Sequence, residues 1–322
     1  METKTETTAL ITGASSGIGF ELARCFASDG FNVIMVAHYR GKLQAAAENL
    51  SQEFPSVRVE TIAVDLSKDN APDKLYAQVQ ELGLPLHVLV NNAGFGEYGL
   101  FSESNLQKEL AMIHLNVIAL VYLTKLFLPQ MLSRNSGKIL QVGSVASFTP
   151  APLQSVYGAT KAFILSFSEA LQEELKESNV TVTVLCPPAT NTNFFRVAGA
   201  ENSKLAQPPL ASPEEVAAGG YAALMKGEAR AVPTLKAKLE VAASNILPDS
   251  LMAAAMHKQT EEVEQKKAAA KKESASKASP ESLSMPDDAI GTKKKNSAKS
   301  VKADASASET PAKKKSSSKK KD

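Results

Sequence analysis

Cysteine is nearly missing from this chain: only Cys25 and Cys186 occur in 322 residues, far apart and in apolar surroundings. Two such thiols build no disulfide framework and no metal-ligand spacing, and they suit buried side chains in a reducing compartment. Histidine is equally thin, and His38, His87, His114 and His257 are too scattered to form a metal cluster. The N-terminus, Met-Glu-Thr-Lys-Thr-Glu, carries charge where a signal peptide has an apolar stretch. The most apolar helical run, Leu115 to Leu128, is interrupted by Asn116 and Lys125 and is too short to cross a bilayer. These absences lead us to expect a soluble cytoplasmic protein with no transmembrane segment and no metal. One further absence is local. The stretch Val36-Ala37-His38-Tyr39-Arg40 contains no acidic residue.

What is present is apolar and ordered in its pattern. Hydrophobic residues make up 43% of the chain, enough for a sizeable core. Short β-branched runs at Thr8–Thr12, Asn32–Ala37, Val57–Val64, His87–Asn91, Lys138–Gly143 and Thr181–Leu185 read as strands. Helical patterns alternate with them at Gly17–Ser28, Lys42–Glu53, Ala71–Glu81, Glu103–Leu132 and Ser155–Glu177. This alternation predicts an α/β fold: a doubly wound, Rossmann-like parallel sheet in a single domain over residues 1–256. A helical extension at 235–256, broken at Pro248, packs on the domain or a partner, with a membrane-surface helix as the other reading.

Charge is unevenly spread. From His257 onward there are 17 lysines against 10 acidic residues, although the whole chain is only +2. That segment is rich in Lys, Ala and Ser and almost free of aromatics, so a disordered tail over 257–322 is expected. Its clusters Lys293–Lys295, Lys313–Lys315 and Lys319–Lys321 suit contact with nucleic acid or another anionic surface. A solubilising extension is the other reading, because acids are interspersed and no ring is present to stack on bases.

Two motifs carry chemistry. Leu10-Ile-Thr-Gly13-Ala-Ser-Ser-Gly17-Ile-Gly19 follows the first strand and opens a helix. Its glycines allow a sharp turn and close approach to a pyrophosphate, which the helix N-terminus attracts; a plain strand-to-helix turn explains only two of them. An NAD site has an acid at the end of the second strand. Its absence here, with His38 and Arg40 nearby, favours NADP over NAD, unless both are simply solvated loop residues. Asp65 closes the third strand, where it is placed to bond an adenine amino group or to cap the next helix, a task for which Ser67 competes. The second motif is Tyr157 and Lys161, four apart on one helix face. An ammonium near a phenol makes a usable acid/base, although the same pair also describes an ordinary amphipathic face.

Together these residues resemble the short-chain dehydrogenase/reductase family across about 7–230. Thr12-Gly-Ala-Ser-Ser-Gly-Ile-Gly19 matches its glycine motif, Asn91-Asn-Ala-Gly94 its second signature, and Ser144 precedes Tyr157-x3-Lys161 at the family's spacing. Asn116 matches its fourth catalytic residue. One departure is Pro188 in Cys186-Pro-Pro188-Ala-Thr190-Asn-Thr192, where the family has glycine; it removes an N–H and fixes φ.

The resemblance implies hydride transfer between nicotinamide and a carbonyl or secondary alcohol. Tyr157 would pass the proton and Ser144 would hold the substrate oxygen, the two forming the substrate-binding pair. Lys161 would lower the tyrosine's pKa and bond the nicotinamide ribose, and Asn116 would hold a relay water. Cofactor contacts would come from Gly13, Ser15, Ser16, Gly17, Ile18, Gly19, His38, Arg40, Asp65, Leu66, Asn92, Ala93, Gly94, Pro187, Thr190 and Thr192, beside Tyr157 and Lys161. Phe95, Phe148, Phe194 and Phe195 would wall an apolar substrate. A homodimer or homotetramer through helices 103–132 and 155–177 is also implied. The competing reading is a non-catalytic nucleotide-sensing scaffold with a reductase fold, its basic tail tethered to an anionic partner.

Overall fold

A computed structural model describes residues 7–244 and 248–263. Seven strands, β1 (Thr8–Thr12), β2 (Asn32–Ala37), β3 (Val59–Ala63), β4 (Leu86–Asn91), β5 (Gly137–Val142), β6 (Val180–Leu185) and β7 (Arg230–Ala231), form one parallel sheet in the order 3-2-1-4-5-6-7. The helices between them are α1 (Gly17–Ser28), α2 (Arg40–Glu53), α3 (Ala71–Glu81), α4 (Leu106–Ile113), α5 (Leu120–Ser133), α6 (Ser155–Glu174), α7 (Phe194–Ala198) and α8 (Pro213–Lys226). Beyond the sheet lie α9 (Leu235–Ser244) and α10 (Asp249–Thr260).

Both faces of the sheet are covered, which is why its central strands are apolar at consecutive positions rather than alternately. On β1, Ala9 and Ile11 face a core layer with Leu22, Phe26, Leu43, Leu50, Val216 and Leu224 from α1, α2 and α8. Leu10, between them, faces the other layer with Leu75, Phe127, Met131 and Leu171 from α3, α5 and α6. Each such side chain, fully buried, contributes roughly 1.5–3 kcal/mol. Strand order reverses between β1 and β4, so the connections that leave their carboxyl ends run to opposite faces of the sheet and open a crevice there.

Two local features shape that crevice. Between α4 and α5 the helix widens to a π segment at His114–Ala119, so 106–133 runs on as one helical rod with an extra residue inserted. This rod is 28 residues long, and its most apolar 18-residue stretch has mean hydropathy 1.8, long and apolar enough to cross a membrane by length and composition, unlike the shorter run 115–128; 39% of that stretch is buried inside the protein. The second feature is α10. It continues through His257 to Thr260, and Glu262 pairs with Ser203, so the packed chain passes the boundary expected at 256. The lysine clusters beyond it lie outside the described residues.

Candidate active site

Strand β1 delivers the chain into a turn where Gly13 (φ +69°) and Gly17 (φ +58°) take left-handed conformations that favour glycine. A methyl group at Gly13 would lie 2.7 Å from Asn92 Nδ2, and one at Gly19 would lie 2.4 Å from the Gly13 carbonyl. The turn is therefore a cradle that any side chain would fill. Helix α1 starts above it with no acid in its first turn and no side-chain cap from Ser16, which leaves its positive end to a ligand. The residues present fit the pyrophosphate of a nicotinamide dinucleotide.

The neighbouring strand ends are fastened by polar side chains. Asn92 Nδ2 donates to the Thr12 carbonyl at 2.8 Å, and the Asn92 and Ala93 amides both donate to Thr12 Oγ1 at 3.0 Å. Asn91 is buried and donates to Gln141 and Thr124. Asn116, placed by the π segment, donates to the Phe95 carbonyl at 3.0 Å and to Thr160, and accepts from the Phe95 amide. Its amide thus braces the loop after β4 from behind; the cleft wall itself is made by its neighbours.

A cleft of about 690 Å³ follows the carboxyl edge of the sheet. Every cofactor residue suggested by the sequence lines it except Arg40, which opens α2 while Tyr39 takes the place on the wall. The His38 and Tyr39 ring centroids lie 3.7 Å apart with the rings tilted by 49°. Burial pushes the Asp65 carboxyl up, but hydrogen bonds from the Ser67 hydroxyl and amide, with Lys68 and His38 nearby, hold it below its usual value. Its Oδ1 is therefore occupied by a local turn. Pro188 does not open its loop. The Pro187 carbonyl accepts from Val145, the Thr190 hydroxyl donates back to the Pro188 carbonyl at 2.7 Å, and the Thr192 methyl would meet a side chain at Gly17.

At the other end of the cleft, Ser144 leaves β5 and caps a short 3-10 turn, Val145–Ser147, with its hydroxyl beside the Tyr157 phenol. Ser147 in turn donates to the Lys161 carbonyl at 2.8 Å, tying that turn to α6. Burial pushes the Tyr157 phenol up to about 12, and the neighbouring Ser144 hydroxyl opposes this. Burial also pushes Lys161 down to about 8. The expectation that Lys161 lowers the tyrosine is therefore not met in this arrangement. Lys161 Nζ lies 5.7 Å from the ring centroid and donates to the Val142 carbonyl at 2.8 Å, and desolvation dominates both groups.

Phe95, Phe194 and Phe195 line the substrate end, with Phe194 packed on Tyr157 at 5.1 Å. Phe148 does not: it lies under the Arg230 guanidinium at 5.1 Å. The sequence reading missed Gln154, Met256 and Thr260, all on the wall. Gln154 was legible one turn ahead of Tyr157. Nothing in the sequence placed α10 over the cleft, where Tyr98 Oη donates to the Thr260 carbonyl and Lys204 pairs with Glu261 at 2.6 Å.

Comparison with known proteins agrees with this architecture. A family model described as short chain dehydrogenase matches residues 7–203. The very-long-chain 3-oxoacyl-CoA reductase of Rattus norvegicus is 34% identical over 193 residues, 59% of this chain and 61% of that protein. The 17-beta-hydroxysteroid dehydrogenase type 3 of Homo sapiens is 38% identical over 188 residues, 57% and 59% respectively. The chain thus spans about three fifths of the length of these curated relatives. Among solved structures, a short-chain dehydrogenase from Sphingobium yanoikuyae in complex with NADPH has a TM-score of 0.66 at 30% identity, covering 74% of this chain and 93% of that one.

Proposed function

Because the chain belongs to the short-chain dehydrogenase family, we propose that it is an NADP(H)-dependent reductase of bulky, apolar ketones. The observation that carries this reading is the Ser144–Tyr157 pair, set between a glycine cradle on one side and phenylalanine walls on the other. The nicotinamide, when bound, supplies the hydride.

The protein's own residues handle the oxygen. Tyr157 is a neutral phenol at neutral pH, as any phenol is, and burial pushes its pKa further up to about 12, so it holds the proton that a forming alkoxide needs. Ser144 Oγ donates to the same substrate oxygen, aimed at charge that develops only as the carbonyl is reduced. Lys161, anchored at the Val142 carbonyl beside the Tyr157 ring, would hold the nicotinamide ribose. Gly13, Gly17, Gly19, Asn92 and Thr192 would hold the dinucleotide, and Asn116 keeps the Gly94–Phe95 turn against it.

The lack of an acid between Val36 and Arg40, with His38 and Tyr39 on the wall, supports NADP(H). The relatives' names, a 3-oxoacyl-CoA reductase and a hydroxysteroid dehydrogenase, both support a large apolar ketone. Exposed Leu106, Leu110, Ile118 and Tyr122 on the α4–α5 rod and Phe163 on α6 support a homo-oligomer through that face. The test is NADPH and NADH oxidation at 340 nm with a panel of ketones. Wild type should be active with NADPH first, and Tyr157→Phe should lose at least about a thousandfold. A Tyr157→Phe protein as fast as wild type would sink the assignment.

A further inference from the structure

The substrate end of the cleft is roofed by two stretches far apart in the sequence. The connection after β6 brings α7, with Val197 on the cleft wall, and the short 3-10 turn Lys204–Ala206, with Leu205 on the same wall. The end of the described chain brings α10, whose Met256 and Thr260, four apart, share the helix face turned to the cleft. The Thr260 hydroxyl is engaged, donating to the Met256 and His257 carbonyls of its own helix at 3.0 Å. What α10 offers a ligand is therefore the half-buried Met256 side chain, an unbranched thioether that adapts to apolar shapes.

The two stretches are joined into one body. The Val263 amide donates to the Asn202 carbonyl at 2.9 Å and the Lys204 amide to the Glu261 carbonyl at 3.1 Å, so Ser203 and Glu262 pair as a short antiparallel bridge. Lys204 Nζ adds a bond to the Lys258 carbonyl at 2.7 Å beside its ion pair with Glu261. Tyr98, in the connection after β4, ties this body to the sheet twice. Its amide donates to the Ala198 carbonyl at 3.0 Å, which holds α7, and its hydroxyl donates to the Thr260 carbonyl, which holds the end of α10. Tyr98 itself is not on the cleft wall, so its effect on a ligand has to pass through the roof it fastens.

We propose that Met256 selects ketones with a long apolar arm, and that Tyr98 is the positioning residue that holds Met256 over the cleft. This rests on the reading of the cleft as a carbonyl-reducing site. A ketone whose arm fills the cleft up to the roof buries apolar surface against Met256, whereas a short ketone leaves that surface wet. Each methylene so buried raises kcat/KM by roughly fourfold where it is fully removed from water. A roof freed from the Tyr98 hydroxyl leaves the same side chain present but no longer fixed, and the ordering of α10 is then charged against the binding of the arm.

The test compares 2-decanone with 2-butanone, with NADPH. Wild type should favour 2-decanone in kcat/KM by at least about tenfold. Met256→Ala should lower that ratio by about fivefold or more. Tyr98→Phe, which keeps the ring and loses only the hydroxyl, should lower it by about fivefold, through KM for 2-decanone rather than kcat. Combining the two should lower the ratio no further than Met256→Ala alone, because the hydroxyl acts through Met256. Without any substrate, amide hydrogen exchange across 256–260 should be faster in Tyr98→Phe than in wild type. A wild-type protein that does not favour 2-decanone, or a ratio that Met256→Ala leaves unchanged, overturns the selecting role of Met256. Unchanged exchange in Tyr98→Phe, or losses that add in the double variant, overturns the positioning role of Tyr98; both results leave the reductase reading intact. No turnover of any ketone with either cofactor overturns the reductase reading itself.

Discussion

Burial moves the proton affinities of Tyr157 and Lys161 in opposite directions, and the two shifts act on stability in adjoining pH windows. Lys161 falls from 10.5 to about 8, so below pH 8 both folded and unfolded chains hold the proton and the buried charge costs its full amount. As pH rises from about 8 to 10.5 the folded state releases the proton first, the unfolded state binds more, and stability rises. Tyr157, raised from 10.0 to about 12, keeps its proton longer in the folded state, so its contribution is present below 10 and is lost towards 12. Urea unfolding of cofactor-free protein should therefore show wild type gaining up to about 2–3 kcal/mol on Lys161→Met between pH 8 and 10. A pH-independent difference between the two would mean that the ammonium is not desolvated. At this scale the spacing of Ser144, Tyr157 and Lys161 was legible in the sequence. The direction of the tyrosine shift was not, because spacing reports which groups meet and says nothing of how dry the meeting place is. Phe148 fails for a related reason: an aromatic after a strand packs on whatever the next loop offers, here Arg230.

At the scale of elements, β1, β2, α1 and α3 match their expected ranges end to end, because apolar runs and helical periodicity there are bounded by sharp turns. Helix α8 carried a complete signature that went unread: Ser212 accepts from the Glu215 amide, Pro213 is the first helical residue, and Gly227 closes it at φ +71°. Strand β7 has two residues, too few for any periodicity. The π segment is invisible for another reason, since one extra residue in a helix of apolar side chains leaves no mark in composition. Yet it keeps Ile118 and Tyr122 exposed on the same rod as Leu106 and Leu110 while Asn116 turns inward. Phe163 stacks on Phe167 at 5.9 Å and remains 41% exposed on α6. Arginine placed at both Ile118 and Phe163 should shift the protein to a smaller species in sedimentation velocity. Because neither side chain lines the cleft, an unchanged sedimentation coefficient would remove this face as the contact between copies.

For the molecule as a whole, the cleft draws on residues from Gly13 to Thr260, and its roof comes from the end of the described chain. Sequence reading ended the packed domain at 256 because the Lys- and Ala-rich composition begins there. Composition alone did not reveal that Thr260 and Glu261 have anchors waiting at Tyr98 and Lys204. The Tyr98–Thr260 bond joins positions 162 residues apart. Contacts of such separation form late, after the strands and local helices that bring their ends together. Refolding from urea should therefore restore the far-ultraviolet circular dichroism signal before it restores ketone reduction, and the lag should shrink when NADPH is present from the start. A single shared rate constant would mean that the roof forms with the sheet. Activity is in this sense a report on the last long-range contact to close, and a preparation can show its full secondary structure while the cleft still stands open to water.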